Sequence, residues 1–187
     1  MELRQETVHI YKHGYSEIAK LFKESFPEGE QFPLWTLRLL TVLKPAKFSA
    51  FYDGDTLAGI LYSIESTDYF FILYLAVNPK IRSCGYGGKI LEYTFDRAGD
   101  RPIVLNVEAL DENADNNEQR KRRNAFYARH GIIEVQTYNT DLKKRLSFRL
   151  TVPYSEERRR AAEDVTLRFH FETGCLYCPC RFVCFPY

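Results

Sequence analysis

Apolar positions along this chain recur with two periods. From Tyr15 to Phe26 they fall at Ile18, Leu21, Phe22 and Phe26, the spacing of one helix face, and Ser16 is a candidate cap. Leu34 to Leu43 reads as a second helix that Pro45 ends, with a break from Pro27 to Pro33 between the two. Ahead of them, Met1 to Tyr11 holds a first strand, with Thr7 to Tyr11 its best segment. Lys47–Tyr52 and Leu57–Glu65 read as strands, and Asp53-Gly54-Asp55 between them is a hairpin turn signal.

Tyr69 to Val77 shows no polar alternation, which predicts a central strand covered on both faces. Lys89 to Arg97 reads as a helix and Pro102 to Val107 as another buried strand, so together they predict a strand, a crossover helix and a parallel strand. Leu110 to Asn117 is an acidic, Asn-rich loop. Glu118 to His130 is a helix with Gly131 at its C′ position. Ile132–Tyr138 and Leu146–Val152 read as a closing antiparallel pair. Ser155 to Asp164 is a charged helix candidate, and beyond it the composition changes. The organisation expected is a domain over 1–152 followed by 153–187, that helix candidate plus a Cys-rich tail.

A chain of 187 residues allows one domain, or one domain with a tail. Lys and Arg number 26 against 25 Asp and Glu, which argues against a dedicated nucleic-acid binder. The first residues, Met1-Glu2-Leu3-Arg4-Gln5-Glu6, hold no apolar stretch of the kind a signal peptide needs. No run of about 18 apolar residues offers a membrane span. The expected compartment is the cytoplasm, where the five cysteines would stay reduced.

The most informative run is Asn78-Pro79-Lys80-Ile81-Arg82-Ser83-Cys84-Gly85-Tyr86-Gly87-Gly88-Lys89. A buried strand precedes it and a helix follows. Glycines let backbone N–H groups converge, and a helix N-terminus adds partial positive charge, so the pattern predicts a phosphate-bearing ligand with Arg82 at the mouth. It is not a P-loop, because no Ser or Thr follows Lys89. It is also a poor dinucleotide fingerprint, because it lies mid-chain and no acid ends the next strand at the expected place.

Arg82-x-x-Gly85-x-Gly87, after a strand ending Ala76-Val77-x-Pro79, resembles the acetyl-CoA signature of the GNAT superfamily of N-acetyltransferases. Phe126-Tyr127-Ala128-Arg129-His130-Gly131-Ile132 resembles that superfamily's second motif, and the order of elements over Met1 to Val152 is similar as well. The resemblance implies an α/β fold with a central mixed β-sheet flanked by helices. It implies that acetyl moves from acetyl-CoA to a primary amine by direct attack. Backbone groups of Leu75, Ala76 and Val77 would pair with the pantetheine arm. Amides of Arg82, Ser83, Cys84, Gly85, Tyr86, Gly87 and Gly88 would cradle the pyrophosphate. Tyr127 would lie near the thioester sulfur, and the Val77 amide would face the carbonyl oxygen.

A thiolate leaving group, with a pKa near 8.5, can take a proton from a tyrosine near 10, so Tyr127 is the expected general acid. For the base, Glu108 follows one strand and Glu65 ends another; Glu108 is preferred because ligands collect where parallel strands splay. Two positions depart from the superfamily pattern: Arg120, where relatives often carry Asn, and Arg123, where a small residue is usual. Lys121, Arg122 and Arg123 read either as a solvated face or as partners of the CoA 3′-phosphate. A nucleophilic role for Cys84 is set aside, because no His lies nearby in sequence and its motif position is variable.

Cys175, Cys178, Cys180 and Cys184 could supply one tetrahedral zinc, but their loops are shorter than the usual framework, and no metal is expected. Two other readings stay open at this level: a catalytically silent CoA-binding or sensor module, and a zinc-stapled interaction protein. The expected partners are acetyl-CoA and an amine acceptor, with no nucleic acid and no membrane, in a monomer or homodimer. Phe26, Phe32, Trp35 and Arg38 fall where the acceptor would be received and show no preference for one.

Overall fold

The computed structural model describes residues 2–9, 15–43, 45–108, 110–140 and 144–151. The chain forms two compact units, Met1–Gly99 and Asp100–Tyr187.

In the first unit four strands pair antiparallel in chain order: β1 (Arg4–Thr7), β2 (Ala46–Asp53), β3 (Thr56–Glu65) and β4 (Phe70–Val77). The expected hairpin closes with Asp53 opposite Thr56. Gly54, at φ 57, fills the first central position that a type II′ turn gives to glycine. β1 takes the polar segment Arg4–Thr7 within the predicted Met1–Tyr11, of which Ile10 and Tyr11 lie outside the described residues. An outer strand needs only its backbone ladder, and the apolar Val8 that follows is fully buried while its amide donates to the Phe48 carbonyl at 2.7 Å.

Helices α1 (Tyr15–Ser25) and α2 (Leu34–Leu43) pack on one face of these strands. Ile18, Leu21 and Phe22 of α1 are buried, as their spacing predicts. Ser16 lies inside the first turn and is not its cap, because Tyr15 is already helical. Two tyrosines tie the helical layer to the sheet. Tyr74 donates to the Glu30 carbonyl at 2.6 Å and accepts the Phe32 amide at 3.1 Å, satisfying two peptide groups in the break between the helices. Tyr62 donates to the Leu37 carbonyl at 3.0 Å. Burial pushes the Tyr74 phenol up to about 12 and raises Tyr62 as well, so both stay neutral donors.

Helix α3 (Tyr86–Ala98) packs on the other face. Gly59 of β3 admits it: a Cβ there would meet the Ala76 carbonyl oxygen and Ile90 Cδ1, each at 2.6 Å. Phe51 meets Tyr93 edge-on with ring centroids 5.1 Å apart, and Arg97 bonds Glu65 at 2.6 Å. α3 starts three residues earlier than the sequence predicts. A helix's first amides need no intrahelical partner, so Gly87 and Gly88 are tolerated in its opening turn.

In β4, Tyr62 opposes Tyr74 while Ser63 opposes Ile72, leaving Leu73 as an extra residue in the strand. With α1 and α2 on one face of the strands and α3 on the other, β4 has no exposed residue, as its lack of polar alternation predicts.

In the second unit β5 (Ile103–Glu108), β7 (Lys144–Thr151) and β6 (Ile133–Thr140) pair antiparallel in that order. Ile103, Val104, Leu105 and Val107 are buried. α4 (Asn117–Arg129) ends at Gly131, whose φ of 76 is the left-handed value expected at C′. The Gly131 amide donates to the Ala128 carbonyl at 3.1 Å and the buried Ile132 donates to Tyr127 at 3.0 Å, which is a Schellman closure. Residues 152–187, with the charged helix candidate and the four clustered cysteines, lie outside the described residues. Among the described residues no helix is long and apolar enough to cross a membrane.

Candidate functional site

The glycine loop is built from its two ends inward. At its start Asn78 is fixed three times: its amide donates to Ala58 at 2.9 Å, Nδ2 donates to the Leu57 carbonyl at 2.8 Å, and Oδ1 accepts the Lys80 amide at 3.1 Å. A single 3-10 turn, Pro79–Ile81, follows. The chain then passes through two left-handed residues, Ser83 at φ 67 and Gly85 at φ 83. A serine in that region is strained and needs its surroundings to hold it there.

Gly85 caps α3 through its backbone alone, and its carbonyl takes the first helical bond, from Lys89 at 3.2 Å. The amides of Tyr86, Gly87 and Gly88 therefore precede the intrahelical ladder and project from the positive end of the helix. Arg82, Ser83, Cys84 and Gly85 are exposed. Arg82 Nε donates to the Val77 carbonyl at 3.4 Å, and the Cys84 thiol faces the Arg82 carbonyl at 3.7 Å.

The bond from Asn78 to Ala58 sets the phase of the ladder at the end of β4. It makes Gly59 and Val77 a non-hydrogen-bonded pair, and Leu61 and Leu75 likewise. The peptide groups of Leu75 and Val77 thus point away from β3, while those of Ala76 point toward it. The approach of the Ala76 carbonyl oxygen to Gly59 agrees with this.

In the second unit Tyr127 sits in the last turn of α4, is buried, and meets Phe126 with ring centroids 5.3 Å apart. Its carbonyl accepts the amides of both His130 and Ile132, so the Gly131 closure fixes its backbone. Glu108 is the last residue of β5, opposite Leu146 of β7. Arg120 is held by Asn116 at 2.8 Å, and Lys121 pairs with Glu118 at 2.7 Å on the exposed face.

Glu65, the other carboxylate weighed as a base, is committed elsewhere. It bonds Arg97 and stands opposite Phe70, at the end of β3 remote from the loop. The seven residue steps from Phe70 to Val77 span about 23 Å of strand.

Of the residues considered for the acceptor side, Phe26 and Phe32 pack against the core. Arg38 lies over the Tyr15 ring at 4.1 Å and donates to the His9 carbonyl at 3.2 Å. Trp35, at 69% exposure, presents its ring to solvent. Among the described residues no group of three or more His, Cys, Asp or Glu side chains could hold a metal ion.

Sequence reasoning missed Asn78 and Asp53. The Tyr86 hydroxyl donates to Asp53 Oδ2 at 2.6 Å, and that hydrogen bond holds the phenol above its ordinary value. A polar residue directly after a buried strand was the only signal for Asn78. Asp53 carried none beyond its place in a turn.

Left-handed backbone thus leads into helix amides that precede the hydrogen-bond ladder of α3, at the end of a strand whose Leu75 and Val77 peptide groups point away from β3. The fold is that of the acyl-CoA N-acyltransferases. The acetyltransferase (GNAT) family model matches residues 15–132, and the chain belongs to that family of acyltransferase enzymes. Among solved structures it is similar to a protein of Bacteroides thetaiotaomicron assigned as a GNAT-family acetyltransferase. The two share 26% identity and a TM-score of 0.71, over 89% of this chain and 96% of that one. It also shares its fold with an aminoglycoside 6′-N-acetyltransferase solved with coenzyme A, at 17% identity and a TM-score of 0.61 over 83% and 100% of the two chains. A third is the aminoglycoside 6′-N-acetyltransferase of Enterococcus faecium, at 15% identity and a TM-score of 0.58 over 83% and 100%. No curated protein matches the sequence.

Proposed function

We propose that this enzyme moves an acetyl group from acetyl-CoA to a primary amine by direct attack, with no covalent enzyme intermediate. The observation that carries the reading is the run from Arg82 to Gly88: two left-handed residues deliver the chain into α3, whose first amides precede its hydrogen-bond ladder. These amides suit a diphosphate, and Arg82 adds a full positive charge beside them. Leu75, Ala76 and Val77 form the strand end along which the pantetheine arm lies. The outward peptide groups of Leu75 and Val77 pair with it as a further strand would.

The Val77 amide is the donor for the carbonyl oxygen as it gains charge during attack. Tyr127 gives its phenolic proton to the departing thiolate, a transfer that the incoming amine's positive charge helps to drive. Glu108 takes the proton from the amine, directly or through a water. Glu65 is unsuited to that step because Arg97 holds it as a carboxylate partner at the far end of β3.

The test is release of free thiol from acetyl-CoA over a panel of primary amines, with calorimetric titration of coenzyme A in parallel. The reading requires saturable coenzyme A binding and amine-dependent thiol release. Binding without release for any amine would reduce the site to a CoA-binding module, and no binding would remove the assignment of the loop.

A further inference from the structure

The turn between β2 and β3 grips the glycine loop at both ends. At the loop's entry, Asn78 bonds the carbonyls of Leu57 and Ala58, at the start of β3. At its exit the hydroxyl of Tyr86, the first residue of α3, reaches Asp53 across 33 positions of sequence. The turn is itself held from outside, where Arg4 donates to the Gly54 carbonyl at 3.3 Å. Between Asn78 and Tyr86 lies Ser83, a non-glycine residue in the left-handed region that keeps its shape only where its surroundings hold it.

The placement of Asp53 has a second aspect. A carboxylate near a helix N-terminus is favoured by the helix dipole, and one that capped α3 directly would occupy the amides a diphosphate needs. Gly85 has no side chain to cap with, and Asp53 reaches the helix through the Tyr86 hydroxyl. The acid steadies the first turn of α3 while its amides stay available.

We propose that Asp53 and Tyr86 are a positioning pair for the cosubstrate: their hydrogen bond, anchored on the β2–β3 turn, sets the first turn of α3 so that its amides receive the diphosphate of coenzyme A. This rests on the reading of the loop given under the proposed function.

Calorimetric titration of the full chain with coenzyme A tests it, at a temperature well below the unfolding midpoint of every variant. Tyr86→Phe and Asp53→Ala each weaken binding on the order of tenfold, as expected when a hydrogen bond to a charged group is lost. The double variant binds no worse than the weaker single one, because both remove the same bond. Asp53→Asn recovers most of the affinity, since its carboxamide oxygen still accepts from the phenol. Asp53 sits in a part-exposed turn, so its variants carry the test should Tyr86→Phe fold poorly.

A bond that served stability alone would lower the unfolding midpoint and leave affinity intact. Single variants that bind coenzyme A like the wild type therefore overturn the pair, as does a fully additive loss in the double variant. Wild-type protein that binds no coenzyme A overturns the reading of the loop itself, a separate failure from that of the pair.

Discussion

Gly59 lies directly beneath Ile90: a methyl group at Gly59 would stand 2.6 Å from Ile90 Cδ1 and equally close to the Ala76 carbonyl oxygen. Side chains can turn aside, but the Ala76 carbonyl belongs to the β3–β4 ladder and moves only with the sheet. Gly59→Ala is therefore expected to cost about 1–3 kcal/mol, the range for overpacking a filled interior. Urea unfolding measures it. Because Ile90 lies one turn into α3, the same substitution displaces the helix end that carries the loop, and coenzyme A affinity falls with stability. A variant as stable as the wild type would show that α3 slides freely on the sheet.

Tyr127→Phe separates binding from chemistry. The ring stays packed against Phe126 and the backbone stays in the Gly131 closure, so coenzyme A affinity is retained. Turnover, read as thiol release, falls about a hundredfold or more, within the range general acids contribute. Unchanged turnover would remove Tyr127 from the mechanism.

Gly131→Ala isolates a conformational cost. Among the described residues nothing lies within 4 Å of the position a Cβ would take, so the penalty comes from φ 76. It should destabilise by about 1–2 kcal/mol. Gly29→Ala, where space is equally open and φ is ordinary, should change stability by about 0.5 kcal/mol or less. Equal effects in the two variants, measured by thermal unfolding, would contradict this account of the helix end.

Tyr74 predicts an alkaline limit to stability. Burial raises its folded-state value to about 12, above the ordinary value near 10. A group raised in this way favours the folded state fully below its unfolded value, and that contribution is lost as pH climbs through the folded one. Stability should decline from about pH 10 upward, and in Tyr74→Phe the decline should be shallower by up to about 1.4 kcal/mol per pH unit. Urea midpoints collected from pH 8 to 11 check it; parallel slopes in the two proteins would disprove the assignment to Tyr74.

Much of this was legible in the residues because the relevant physics is local. The buried face of α1 follows from spacing, the end of α2 from Pro45, and the hairpin from Asp53-Gly54-Asp55. The loop after Val77 could be read because a buried strand, glycines and a helix stand next to one another in the chain. What could not be read depends on pairing over distance. The Tyr86–Asp53 bond joins residues from separate elements, and the closeness of Gly59 to Ile90 exists only once α3 lies on β3. Glu65 looked available as a base because nothing in the sequence brings Arg97 to it. The strand 70–77 showed that it was buried but hid its phase, because every one of its residues is apolar and no polar position marks a face.

That extra residue, Leu73, works as a half-step in the strand's rhythm. It lets Phe71 and Tyr74, three positions apart, share a face, since they oppose Ile64 and Tyr62 of β3. An uninterrupted strand would send them to opposite sides. The step is thus confined to one position, and the pairs on either side of it keep their partners in β3. Deleting Leu73 itself would make Ile72 and Tyr74 neighbours opposite Ser63 and Tyr62, so the strand would become regular with its other pairs unchanged.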